Sequence, residues 1–193
     1  MNKKQLLSEK IEHINIKKLK VKPLIEAYSK MSFSARDLAR AAEIYNMMLA
    51  DKNCSVWLTL AGSTSAAGCM QVYVDMVKNN MIDAIVATGA SIVDMDFFEA
   101  LGFSHYRGTP FIDDGLLRSL YIDRIYDTFI DEKSLQACDF TIEKIANELE
   151  PRPYSSREFI AAMGKYLTKN SKKKDSLVQV AYEHNVPIFC PAF

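Results

Sequence analysis

Cys54-Ser-Val-Trp-Leu-Thr-Leu60, Ala61-Gly-Ser-Thr-Ser-Ala-Ala-Gly68 and Asp83-Ala-Ile-Val-Ala-Thr-Gly-Ala-Ser91 decide the reading of the fold. The first segment is apolar and rich in large side chains with no polar face, which predicts a strand covered on both sides. It runs into a turn of small residues, after which Cys69 to Asn80 carries Val72, Met76 and Val77 at helical spacing. The unit then repeats. Asp83 to Thr88 predicts a second buried strand, Gly89-Ala-Ser91 a second small-residue turn, and Asp96 to Leu101 a short helix stopped at Gly102. Two consecutive strand, turn, helix units predict an α/β fold built on a parallel sheet with helical crossovers.

Upstream, Ser34-Ala-Arg-Asp37 has the form of a capping box, and a helix follows to Asp51 with Ile44, Met47 and Met48 on one face. Residues 1–31 are Lys-rich with scattered Leu and Ile, an arm or short docking helix more than a core element, ahead of a main unit over 32–193. Downstream, His105 to Asp114 reads as a polar loop, and Leu116 to Phe129 fits either a helix or a strand plus turn. Glu132 to Leu149 predicts a helix ended by Pro151-Arg-Pro153. Ser155-Ser-Arg-Glu158 is a second capping box, opening a helix to about Tyr166. Lys169 to Lys174 follows as a solvated basic loop, Asp175 to Asn185 as a further helix, and Val186 to Phe193 as a third buried strand. With that strand running into the last residue, the sheet is expected to be incomplete at the C-terminus.

The composition narrows the function classes. Lys plus Arg is 24 and Asp plus Glu is 24 in 193 residues, so the net charge is zero and gives no global attraction to nucleic acid or an anionic membrane. No stretch approaches the roughly 20 apolar residues of a membrane span, and the first thirty residues hold no signal-type apolar run, which predicts a cytoplasmic protein. Cys54, Cys69, Cys138 and Cys190 form no Cys-x-x-Cys pair and read as reduced, mostly buried thiols.

In open parallel α/β sheets, ligands sit outside the carboxyl ends of the strands. Both small-residue turns lie there. Gly62, Ser63, Thr64, Ser65 and Ala66 offer a backbone that dinucleotide phosphates can approach, with hydroxyls to bond them, and Thr88, Gly89 and Ala90 offer the same for a ribose or second phosphate. The turns match neither Gly-x-Gly-x-x-Gly nor a Walker A loop, and tight helix packing explains small residues equally well. Asp94 and Asp96 fit a cationic ligand or a cofactor hydroxyl; the alternative is that Asp96 caps the following helix and Asp94 is solvated. Asp113 and Asp114 fit turn chemistry. His13, His105 and His184 are too widely spaced to predict a metal site. Cys69 reads as a packed thiol, Trp57 as core, and Lys172 to Lys174 as solvated.

Taken together, these segments resemble the deoxyhypusine synthase family, closest to its bacterial deoxyhypusine synthase-like branch, from about Ser32 to Phe193. The resemblance is carried by Leu58-Thr-Leu-Ala-Gly-Ser-Thr-Ser-Ala-Ala-Gly68, Asn80-Met-Ile-Asp-Ala-Ile-Val-Ala-Thr-Gly-Ala90, Asp96-Phe-Phe-Glu-Ala-Leu-Gly102, His105-Tyr-Arg-Gly108, Glu150-Pro-Arg-Pro-Tyr-Ser-Ser-Arg157 and Val186-Pro-Ile-Phe-Cys-Pro-Ala192. It implies a Rossmann-like α/β domain in a homotetramer, and NAD-dependent transfer of an aminobutyl group from spermidine, through an imine on an enzyme lysine, to an acceptor amine. It further implies that Gly62, Ser63, Thr64, Ser65 and Ala66 form the first NAD-binding stretch and Thr88, Gly89 and Ala90 the second. Asp94 aligns with an acidic position contacting both NAD and the polyamine, while Val93 stands where the eukaryotic and archaeal members carry another acid. The family's nucleophilic lysine and later cofactor loop match nothing in this sequence. The expectation is an N-terminal half that is inactive alone, with a non-catalytic partner subunit of a split complex as the alternative; a homo-oligomer or a companion chain would supply the remainder.

Overall fold

The computed structural model describes residues 2–13, 15–18, 20–173 and 175–191. Lys174, ending the lysine run, and Ala192 and Phe193, ending the third predicted strand, lie outside the described residues, as do Met1, Ile14 and Leu19 of the Lys-rich segment. The chain opens with the one-turn helix α1 (Lys3–Leu6) and the helix pair α2 (Lys22–Tyr28) and α3 (Phe33–Ala50). β1 (Trp57–Leu60) leads through a π-helical turn (Ser65–Cys69) into α4 (Met70–Lys78), and β2 (Ala84–Ala87) through a second π-helical turn (Ser91–Phe97) into α5 (Phe98–Ala100). β3 (Tyr106–Arg107), α6 (Asp114–Ser119), β4 (Ile122–Ile125) and β5 (Thr128–Asp131) follow, then α7 (Glu132–Asn147), α8 (Ser156–Asn170), α9 (Leu177–Glu183) and β6 (Ile188–Phe189).

The expected parallel sheet is present, in the order β1-β2-β6, with Trp57 opposite Ala84 and Ile85 opposite Ile188. Asp83 fixes the entry to it, its carboxylate accepting from the Val56 N–H at 2.7 Å while its own N–H donates to the Val56 carbonyl at 2.8 Å. β2 is the central strand and Ile85 is fully buried there, packed in one core with Val74 and Val77 of α4 and Met163 of α8. β1 differs from the expectation. It is an edge strand with one exposed face, where Trp57 is 56% exposed and stacks parallel to Phe189 at 6.0 Å between ring centroids. An apolar run marks a strand, but only the pairing order tells an edge from a centre.

Three further expectations are corrected. Ser34 lies inside α3, whose N-cap is Ser32, and the half-buried face of that helix carries Tyr45 and Met48, with Ile44 and Met47 exposed. Second, the polar loop and the undecided segment after it contain a three-stranded antiparallel sheet, β3-β5-β4, over a small separate core of Leu6, Leu117, Ile122 and Phe129. Its strands are too short and too polar at the edge to show alternation. Third, α5 and its π-helical turn begin at Ser91, five residues before the expected helix, and α8 runs on to Asn170. The Ser155 to Glu158 capping box and the stop at Gly102 are as expected. Leu6 docks α1 on the second core. No helix among the described residues is long and apolar enough to cross a membrane.

Candidate functional site

The carboxyl ends of β1 and β2 bring the two small-residue turns together. Gly62 takes φ 74°, a left-handed conformation that favours glycine, and among the described residues beyond its chain neighbours no atom lies within 4 Å of where a Cβ would stand. The backbone there is open to an approaching group. Gly62 and Thr64 are exposed, Ser63 is half-buried, and Ser65 and Ala66 are buried at the start of the first π-helical turn. In the second turn, Thr88 and Gly89 are half-buried and Ala90 exposed. The Ser91 hydroxyl joins the turns: it donates to the Gly62 carbonyl at 3.3 Å and shares a hydrogen bond with Thr88 Oγ1 at 3.0 Å. The Thr88 N–H also donates to the Leu60 carbonyl, and the Tyr73 hydroxyl to Thr64 Oγ1 at 2.8 Å, which fixes the rim.

Asp94 lies on the second π-helical turn, half-buried. Burial, and then the Asp139 carboxylate on α7, push its carboxyl above the usual range, while His105 pulls it the other way. Its charged neighbours therefore belong to α7 and to the approach to β3. Beside it, the Cys138 thiol donates to the Val93 carbonyl at 3.6 Å and is pushed up to about 12, first by burial and then by Asp139 and Asp94. Asp96 caps a helix, though not the one that follows it. Its two oxygens accept from the Leu177 N–H at 2.7 Å and the Val178 N–H at 2.8 Å, so it closes the N-terminus of α9 across the core. Burial pushes this carboxyl up to about 6, with the two backbone hydrogen bonds pulling against the shift.

A second buried cluster escapes any reading of sequence spacing. Glu99, 5% exposed, accepts from His105 Nδ1 at 2.9 Å and pairs with His13 Nε2 at 2.6 Å, and Lys173 Nζ reaches the same oxygen as His13. Burial alone would raise the Glu99 carboxyl, but these hydrogen bonds outweigh it and hold it well below the ordinary carboxylate range. The partners stand 86, 6 and 74 positions away in sequence. The one available signal is a lone acid among Phe97, Phe98, Ala100 and Leu101. Lys173 is thus tied to the core and not simply solvated.

Of the remaining candidates, Cys69 ends the first π-helical turn and the others stand apart from both turns. Asp113 caps α6 through the Leu116 N–H at 2.7 Å, and Asp114 pairs with Arg124, which is turn chemistry. His184 is exposed, Cys69 is half-buried, and all four cysteines are thiols. Among the described residues no three His, Cys, Asp or Glu side chains are grouped to hold a metal ion.

Residues 23–193 match the family model for deoxyhypusine synthase. A deoxyhypusine synthase-like protein of Coxiella burnetii is 66% identical over 99% of this chain and 54% of its own length. One from Chlorobaculum parvum is 57% identical over 100% of this chain and 55% of its own. In fold, the chain is similar to the crystal structure of a deoxyhypusine synthase candidate from Entamoeba histolytica, with a TM-score of 0.64 at 17% identity, covering 95% of this chain and 62% of that one. The chain spans about half the length of the curated relatives it matches. With a family model covering residues 23–193 and near relatives aligned along almost every position, this chain belongs to the deoxyhypusine synthase family, in its bacterial deoxyhypusine synthase-like branch.

Proposed function

We propose that the chain forms part of an NAD site at Gly62, Ser63, Thr64, Ser65, Ala66, Thr88, Gly89 and Ala90, within a Rossmann-like domain that transfers an aminobutyl group from spermidine or a related polyamine. The observation that carries this reading is the cradle over Gly62: backbone at φ 74° with nothing where a Cβ would be, joined by the Ser91 hydroxyl to the second turn. Such a surface fits phosphate oxygens, which need close backbone approach and hydroxyl donors. Bound NAD would supply a hydride acceptor for oxidation of the amine. The chain's own residues hold and orient. Thr64, fixed by Tyr73, and Thr88, fixed by Ser91, present hydroxyls at the rim. Asp94 attracts an ammonium group, because a half-buried carboxylate facing Asp139 is relieved by a cation.

Transfer through an imine requires an amine nucleophile. The family resemblance assigns that role to a lysine matched by no residue here, so these 193 residues alone are expected to give no aminobutyl transfer. The exposed Trp57, stacked on half-buried Phe189, supports a covering chain, either a further copy in a homotetramer or a companion polypeptide. The reading includes a cytoplasmic location. Calorimetric titration with NAD tests it, on the chain alone and after adding a polypeptide spanning the remainder of a relative's length. Binding is expected to be tighter in the mixture and weakened at least about tenfold by Gly62→Val, whose fold is checked by circular dichroism. No NAD binding in either sample, or spermidine turnover by the chain alone, overturns it.

A further inference from the structure

We propose that His13, held by Glu99, is a positioning residue that seats the N-terminal segment on the turn after β1 and so fixes the shape of that turn. The functional weight of this inference rests on reading the 62–66 turn as a cofactor site. Its geometry stands independently. Residues 9–11 run antiparallel beside β3: the Arg107 N–H donates to the Glu9 carbonyl at 2.6 Å, Lys10 bridges Tyr106, and the Ile11 N–H donates to the His105 carbonyl at 2.9 Å. The next residues cross to the other sheet. There the Glu12 carbonyl oxygen would be 2.9 Å from a Cβ at Gly68, so only glycine admits it, and Gly68 belongs to the π-helical turn that begins with Ser65 and Ala66. His13 then drops onto Glu99, and Lys17 pairs with Asp75 of α4 at 2.7 Å.

Among the described residues, His13 is the one donor to Glu99 that the segment brings; His105 and Lys173 come from the body of the chain. Removing His13 leaves the carboxylate with two partners, so the core is not left with an isolated charge. The segment also lies outside residues 23–193, the stretch the family model matches, so family membership does not imply this attachment.

Native-state hydrogen exchange on the full 193-residue chain tests the proposal with His13→Ala and His13→Gln. His13→Ala is expected to speed exchange at Ile11, Arg107 and the 63–69 turn by roughly tenfold or more, while Ile85 and Val86 of β2, which report global opening, stay unchanged. Gln keeps an N–H for Glu99 and is expected to restore most of the protection. Unchanged exchange in the turn once the segment is released overturns the positioning role, as does His13→Gln behaving like His13→Ala. A parallel NAD titration keeps the two readings distinct. Absence of binding by the native chain with its companion sinks the cofactor reading and leaves exchange to decide the positioning; equal NAD affinity in native and His13→Ala proteins sinks the positioning.

Discussion

Asp96 and Glu99 lie three positions apart in one helical stretch, both buried, and the balance of forces on them has opposite sign. Asp96 meets two backbone N–H groups, which fail to offset its burial, and its carboxyl rises from 3.8 to about 6. Glu99 meets two imidazoles and an ammonium, which more than offset burial, and its carboxyl is depressed. A raised folded value means stability that is full below the unfolded pKa and is lost as pH rises through the folded one. Asp96 should therefore add roughly 3 kcal/mol in all as pH falls from well above 6 to well below 4, about 2 kcal/mol of it between pH 6 and 4. A depressed value means the reverse, so the Glu99 contribution is full above about pH 4.5 and is lost as pH falls further. Urea unfolding across this range should show stability from these two groups peaking near pH 4 to 5. Asp96→Asn is expected to flatten the upper limb and Glu99→Gln the lower one; limbs that persist in both variants would show that other groups set the profile.

At the scale of elements, the parallel sheet puts unequal weight on its strands. Ile85 on central β2 is fully enclosed, and truncating it to Ala should cost about 2–5 kcal/mol in chemical denaturation, as buried aliphatic truncations do. Trp57 on edge β1 has one covered face and a stacked neighbour, so Trp57→Ala should cost under about 1.5 kcal/mol despite removing a larger group. A larger loss at Trp57 would mean its exposed face is covered in solution. This contrast marks how far the sequence could be read. Strand, turn and helix at 54–80 and 83–101 were legible because apolar runs, small turns and 3.6-residue spacing are local signals, and the Ser155 cap because its partner is three residues away. Edge against centre in β1 was not legible, nor was the antiparallel sheet of two- and four-residue strands, since both depend on pairings between distant segments. For the site, the turns and their neighbourhood were visible as small-residue stretches, whereas the Ser91 bridge, the Asp96 cap on α9 and the Glu99 cluster required the chain to fold back over 29, 81 and 86 positions.

At the scale of the molecule, the two sheets have separate cores, and the N-terminal residues link them. Leu6 is buried in the smaller core, Lys3 pairs with Asp131 at 2.5 Å, Glu9 with Arg107 at 3.2 Å, and His13 reaches Glu99 beneath the larger core. The exposed Glu9–Arg107 pair contributes little, so most of the linkage comes from Leu6, the half-buried Lys3–Asp131 pair and the His13 contact with buried Glu99. Deleting residues 1–13 removes a buried leucine, about 2–5 kcal/mol by itself, which in a chain of this length corresponds to a fall of roughly 5–15 °C in melting temperature. The loss should also be uneven. The β4–β5 hairpin, whose small core includes Leu6, should lose exchange protection first, while Ile85 and Val86 in the parallel sheet keep theirs until global unfolding. A deletion variant that melts within about 2 °C of the native chain, or loses protection equally in both sheets, would mean that the N-terminal residues rest on the surface without joining the two cores.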